Sequence, residues 1–151
     1  MNILLCYASN SGSTYLTSKI IEETLNSYNF KVVKKPARDV NLQDIETANL
    51  IIMGSPSWLI DKVQGMPHET IIALMQKFYS KIRDKRFALF GCGDSSYTHF
   101  CKAVEHMEDF VKINGATNIM PSLKIDGFYF DLKDTQEQAY AWTTVLADNL
   151  S

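Results

Sequence analysis

The feature that most constrains this chain is an alternation. Short unbroken apolar runs are separated by longer stretches in which apolar residues recur at helical spacing. Ile3-Leu4-Leu5-Cys6-Tyr7, Leu50-Ile51-Ile52-Met53 and Phe87-Ala88-Leu89-Phe90 offer no charged residue to water, the mark of strands buried on both faces. Phe30 to Val33 is a β-branched run, and Ile119 to Ile125 reads as a fifth strand, with Pro121 indicating an edge position. Gly54 and Gly91 are expected to end the third and fourth strands. Between the runs, Leu16, Ile20, Ile21 and Leu25 form one helical stripe. Ile71, Ile72, Leu74, Met75, Phe78 and Ile82 form a second, opened by Pro67. Phe100, Ala103, Val104, Met107 and Val111 form a third, closed by Gly115 as a C-cap. Ala139, Trp142, Val145 and Leu146 mark a last helix over 135–150. The segment around Asp44 reads as a short turn or helical connection. Five strands alternating with helices imply an α/β fold, a parallel sheet with helices on both faces. A chain of 151 residues fits one domain, 1–151, with a core that needs neither disulfide nor structural metal.

Charge and cysteine usage narrow the function. The formal net charge is -2. Lys77, Lys81, Arg83, Lys85 and Arg86 stand against Asp84 alone in residues 76–86, whereas residues 94–151 carry four basic and nine acidic side chains. The basic stretch is short and has little aromatic interleaving, so it reads as a solvated helix end and not a nucleic-acid footprint. The acidic third favours a cationic protein partner. Cys6, Cys92 and Cys101 match neither C-x-x-C nor a zinc spacing, and the three histidines share no i,i+4 relation. Reduced thiols in a cytosolic protein are expected, with no metal site. No apolar run approaches the roughly 20 residues of a membrane span, and the first residues show no signal-peptide pattern.

In sheets of this kind ligands bind beyond the carboxyl ends of the strands, near a switch in strand order. The first such loop is Ala8-Ser9-Asn10-Ser11-Gly12-Ser13-Thr14, which opens into a helix. It carries hydroxyls and amides but no charge. A helix N-terminus presents free N–H groups and a partial positive charge, suited to a phosphate. The same residues would also make an over-supplied N-cap turn. Neither G-x-x-x-x-G-K-[ST] nor G-x-G-x-x-G is present, so a triphosphatase and a nicotinamide dinucleotide are not indicated. The third strand is followed by Ser55-Pro56-Ser57-Trp58-Leu59, and the fourth by Cys92-Gly93-Asp94-Ser95-Ser96-Tyr97-Thr98-His99-Phe100-Cys101. Trp58 and Tyr97 could sandwich a planar ring whose phosphate sits at Ser9–Thr14, although Trp58 would equally fold back onto the core.

These three motifs, in this order and on these strand ends, resemble the flavodoxins, small electron carriers that bind FMN. Leu123-Lys124-Ile125-Asp126-Gly127 is similar to the end of the family's fifth strand, and the match spans essentially the whole chain in the short-chain form. The resemblance implies a doubly wound, flavodoxin-like five-stranded sheet in the order 2-1-3-4-5. It implies that Ser9, Ser11 and Thr14 donate hydroxyls to the FMN phosphate, with backbone N–H groups from Asn10 through Gly12 and Ser13 to Thr14. Trp58 would stack on the inner face of the flavin ring and Tyr97 on the outer. Ser55, Pro56 and Ser57 lead into the Trp58 loop. Cys92, Gly93, Asp94, His99, Phe100 and Cys101 would surround the pyrimidine edge, and the carbonyl of Leu59 would face flavin N5. The implied partners are redox proteins: a flavodoxin/ferredoxin reductase-like donor and acceptor oxidoreductases. A cytoplasmic monomer is implied, without its own substrate turnover and with no nucleic acid or membrane as partner.

The chain departs from the family pattern at three points. Leu59 follows Trp58 where a turn-tolerant residue is usual, Pro56 brings neither hydroxyl nor N–H, and the net charge is only weakly acidic. Two other readings stay open on the residues alone: an FMN-dependent NAD(P)H:quinone-type oxidoreductase, and a non-redox module of the same fold.

Overall fold

The computed structural model describes residues 1–8, 13–60, 63–93, 101–126 and 132–151. In chain order the elements are β1 (Asn2–Tyr7), α1 (Ser13–Ser27), β2 (Lys31–Pro36), a single 3-10 turn at Ala37–Asp39, α2 (Leu42–Thr47), β3 (Leu50–Ile60), β4 (Val63–Pro67), α3 (Glu69–Lys77), β5 (Arg86–Gly93), α4 (Lys102–Ile113), β6 (Thr117–Asn118), β7 (Leu123–Asp126) and α5 (Leu132–Leu150). The sheet runs β2-β1-β3-β5, with β6 and β7 both pairing parallel to β5. By position it is the expected 2-1-3-4-5 sheet, its fifth place shared by two short strands.

The unbroken apolar runs sort by alternation, because successive side chains of a strand point to opposite faces. Leu4, Cys6, Ile51, Met53, Phe87 and Leu89 face Ile71, Leu74, Val104 and Met107, on the side of α3 and α4. Ile3, Leu5, Leu50, Ile52, Ala88 and Phe90 face Ile21, Leu25, Ala139 and Leu146, on the side of α1 and α5. All twelve strand residues are buried. At roughly 1.5–3 kcal/mol for each large apolar side chain taken from water, these central strands dominate the favourable side of folding.

Several boundaries differ from the sequence reading. β3 does not end at Gly54. It runs on to Ile60 and folds back as a hairpin with β4, pairing Ser57 with Pro67, Trp58 with Met66 and Ile60 with Val63. Between Trp58 and Ile60 the register slips by one residue, so Gln64 and Gly65 together oppose Leu59. Gly65, at φ 78, takes the left-handed conformation that the extra residue demands. Pro67 therefore closes β4 and does not open a helix. α3 begins at Glu69, and His68 caps it by accepting the Thr70 N–H at Nδ1, 3.1 Å away. α3 ends at Lys77, although Phe78 and Ile82 beyond it are buried as the stripe foretold. The expected fifth strand divides around Pro121, which has no N–H for the ladder. The Trp142 indole N–H of α5 donates to the Pro121 carbonyl at 2.9 Å and covers the gap.

The basic stretch is bound into the fold at two of its members. Lys85 donates to the carbonyls of Glu46 and Ala48 at 2.8 and 3.0 Å, at the C-terminal end of α2. Lys77 reaches the Val40 carbonyl at 3.2 Å. Cations at these carbonyls satisfy acceptors that a helix end leaves open. Gly115, at φ 74, follows Asn114 at the end of α4 as expected. Its N–H meets the Lys112 carbonyl at 3.2 Å and that of Ala116 meets Val111 at 3.0 Å, the two bonds of a Schellman motif.

Candidate functional site

Strand order reverses between β1 and β3: from β1 the chain goes outward to β2, then returns to lay β3 on β1's other side. The carboxyl ends of β1, β3 and β5 converge there. The Ala8 N–H donates to the Gly54 carbonyl at 3.1 Å, closing β1 onto β3. Ser55 and Pro56 stand in register with Gly91 and Cys92.

α1 opens at Ser13, immediately above this junction, and no acidic residue lies in its first turn. Its free N–H groups and positive dipole end meet no carboxylate of their own helix. Thr14, Thr17 and Ser18 are buried. The Thr17 hydroxyl donates to the Ser13 carbonyl at 2.6 Å and lies 3.9 Å from the Cys92 thiol. The first turn of α1 is thus seated on the end of β5. This donor set suits a phosphate: neutral hydroxyls and backbone amides, with no carboxylate in the helix's own first turn to repel it.

The end of β5 is closed by close packing. A Cβ at Gly91 would stand 2.4 Å from Val104 Cγ2, and one at Gly93 2.6 Å from the Cys101 backbone nitrogen. Gly93 at the end of β5 and Cys101 just before α4 therefore lie against each other. Cys101 sits there with φ 50, a left-handed conformation uncommon outside glycine, and its thiol points to the carbonyls of Gly91 at 3.8 Å and Ile125 at 3.6 Å. Burial pushes the Cys101 and Cys6 thiols up to about 12, and raises Cys92 as well. All three are free and buried. Thiols held protonated in this way are packing groups, not nucleophiles.

Of the residues expected at the site, the structure brings together Ser13, Thr14, Ser55, Pro56, Ser57, Cys92, Gly93 and Cys101, with the strand backbone of Trp58 and Leu59. Ser9, Asn10, Ser11, Gly12, Asp94, Tyr97, His99 and Phe100 lie outside the described residues. The two serines before Trp58 are engaged within the protein. Ser55 is fully buried, donates to the Pro56 carbonyl at 2.8 Å and accepts the His68 N–H at 2.8 Å. Ser57 accepts the Ala103 N–H at 3.2 Å. Sequence reasoning missed the β4 return, Thr17 and these two hydroxyl bonds. Gly65 was the available signal for the hairpin, since a lone glycine in a strand pattern marks a bulge. Among the described residues no group of three His, Cys, Asp or Glu side chains could hold a metal ion, and no helix is long and apolar enough to cross a membrane.

Fold and crevice together define a doubly wound α/β domain with an anion-receptive helix end at its switch point, a class for which flavodoxins themselves are a standard example. Comparison with known proteins takes the assignment further. The flavodoxin family model matches residues 5–142. The flavodoxin of Maridesulfovibrio salexigens is 28% identical over 149 residues, covering 97% of each chain. That of Nitratidesulfovibrio vulgaris is 31% identical over 143 residues, covering 93% of each. The crystal structure of oxidised flavodoxin 2 from Bacillus cereus superposes with a TM-score of 0.84 over 99% of both chains, at 26% identity. The chain belongs to the flavodoxin family.

Proposed function

We propose that this chain is a cytoplasmic single-domain electron carrier that holds one FMN non-covalently and passes electrons between a reductase-like donor and acceptor oxidoreductases. The observation that carries the reading is the α1 N-terminus, free of carboxylates and seated over β5 at the switch point between β1 and β3. FMN, when bound, supplies one-electron chemistry, and the protein sets its orientation and electrostatics.

The chain's own residues divide that work. Backbone N–H groups at Asn10 to Thr14 hold the phosphate, aided by the hydroxyls of Ser9 and Ser11. Thr14 adds its hydroxyl to that set from the first turn of α1. Trp58 and Tyr97 cover the two faces of the ring. Asp94, His99, Phe100 and Cys101 enclose its pyrimidine edge through backbone groups, and the Leu59 carbonyl faces N5. No group in this set is required as a nucleophile or a general acid, in keeping with a carrier that turns over no substrate of its own.

The test is a titration of the flavin-free protein with FMN and with riboflavin, followed by flavin fluorescence. FMN should bind about one per chain and at least about tenfold more tightly, a difference of about 1.4 kcal/mol. Equal affinities would refute the phosphate assignment. Steady-state NAD(P)H:quinone turnover by the pure FMN-loaded protein would instead favour an oxidoreductase.

A further inference from the structure

We infer that Ser57 is a positioning residue: its hydroxyl caps α4 from β3 and thereby locks the β3–β4 hairpin, which leads through Trp58, to that helix. The inference rests on the functional reading above only where it concerns the flavin.

Each helix leaves its first N–H groups without an intrahelical acceptor, and a side-chain oxygen at the N-cap normally takes the N2 or N3 donor. α2 and α3 obey this rule with their own residues. Asn41 accepts from Asp44, and His68 from Thr70. α4 does not. Its N-cap is Cys101, which makes no side-chain capping bond because its thiol is directed to the carbonyls of Gly91 and Ile125. The N2 donor of α4 is the N–H of Ala103, a fully buried residue that water does not reach. The acceptor it finds is Ser57 Oγ at 3.2 Å, forty-six residues earlier in the chain. The cap is therefore supplied by a different element, one residue before Trp58.

This bond joins the hairpin to the helix it packs against. β3 carries Ser57, and its hairpin partner β4 packs on α4. α4 begins directly after Cys101, whose backbone is pinned against Gly93 at the end of β5. Ser55, on the same strand, performs the matching task for α3, accepting the backbone N–H of His68, the residue that follows β4 and caps that helix. The Ser-Pro-Ser sequence before Trp58 is thus a two-point clasp. Its serines spend their hydroxyls on helices α3 and α4, which fixes the hairpin before any ligand enters. Preorganisation of this kind lowers the cost of binding, since the hairpin need not be ordered at that moment.

The experiment compares wild type, Ser57→Ala and Ser57→Thr. Amide hydrogen exchange at Ala103 is measured by NMR in the flavin-free protein, and the FMN dissociation constant by fluorescence. Ser57→Ala should accelerate Ala103 exchange at least tenfold and weaken FMN binding about tenfold. Ser57→Thr, which keeps the hydroxyl, should restore both. Weakened FMN binding with Ala103 protection unchanged would mean that Ser57 meets the cofactor directly, and would overturn the inference. Faster exchange with unchanged FMN affinity would overturn the positioning role, and no change in either would overturn the cap. A wild type that binds no FMN would sink the functional reading and with it the link to the flavin, while the exchange data would still decide whether Ser57 caps α4.

Discussion

Gly93→Ala places one methyl group where the structure has no room for it. The new Cβ would lie 2.6 Å from the Cys101 nitrogen, 3.0 Å from its Sγ and 3.2 Å from its Cα. Non-bonded carbon contacts are comfortable at about 3.5–4.0 Å, so the Cys101 backbone must recede by roughly 1 Å. That backbone is not free to do so. The Cys101 carbonyl accepts the Val104 N–H at 3.0 Å, its thiol lies between two strand carbonyls, and Ala103 is held to Ser57. Overpacking against a fixed neighbour costs about 1–3 kcal/mol. For a chain of this length each kcal/mol moves the melting temperature by about 2–4 °C, so the flavin-free variant should melt roughly 2–12 °C lower. Because the strain falls at the end of β5, beside residues proposed to meet the flavin, FMN affinity should fall as well, by about tenfold for each 1.4 kcal/mol expressed in the bound state. Calorimetric melting and a fluorescence titration of FMN measure the two effects. Gly115→Ala is the control. It forces a side chain onto a left-handed residue, at a cost of about 1 kcal/mol, but at the far end of α4, so it should lower the melting temperature and leave FMN affinity alone. If Gly93→Ala melts with wild type and binds FMN as well, the junction is not tight and the reasoning fails.

Four further outcomes are expected. Native protein at pH 8 should resist a thiol reagent that labels three cysteines per chain once guanidinium is added, since burial keeps Cys6, Cys92 and Cys101 protonated; rapid native labelling would contradict that. The same shifts make stability fall with alkaline pH. Unfolded thiols ionise near 9 while folded Cys6 and Cys101 wait until about 12, so the stabilisation is complete below 9 and is lost between those values, and Cys6→Ala should flatten that slope in denaturant titrations. Burial pushes the Asp44 carboxyl up, but the Asn41 N–H and the Lys35 ammonium outweigh it and hold it low; Asp44→Asn should therefore cost about 0.5–2 kcal/mol at pH 7 and progressively less as acid protonates the wild-type group, whereas a loss independent of pH would rule out the charge. Leu59→Gly should widen the separation between the two one-electron potentials of the bound flavin, because the strand-bound Leu59 peptide turns at a left-handed cost of about 1 kcal/mol that glycine avoids; spectroelectrochemical titration giving equal separations would refute it.

The sheet was legible in the sequence because strands buried on both faces leave no room for polar residues, and the runs 3–7, 50–53 and 87–90 contain none that is charged. The helical stripes were legible for the same reason. What stayed hidden depended on long-range partners. Nothing local distinguishes a Ser57 that faces a ligand from one that faces Ala103, forty-six residues later. The continuation of β3 past Gly54 was obscured because Gly54 and Pro56 read as breakers. Gly54 is in fact required by the Phe90 ring, which a Cβ there would meet at 2.1 Å, and Pro56 stays in register with Cys92. Pro67 was assigned to a helix start from its residue type, yet the cap that governs α3 is His68, a residue that propensity does not nominate. The division of the fifth strand was half legible: Pro121 announced an edge, but not that the ladder would stop and resume beyond it.

The outer strands of this sheet also bear on how the chain behaves in company. An open margin of backbone donors and acceptors is a template on which other chains can polymerise. On one margin β2 carries Lys31, Lys34 and Lys35 and ends at Pro36. On the other, the place that could have held a long flat strand holds two-residue β6 and four-residue β7, interrupted at Pro121 and roofed by Trp142. One border is lined by lysines, two of them held in ion pairs with Glu22 and Asp44, and ends at a proline, and the other is too short and too broken to copy. Among the described residues neither of these two margins therefore offers a neighbouring chain a long, flat seam along which to stack.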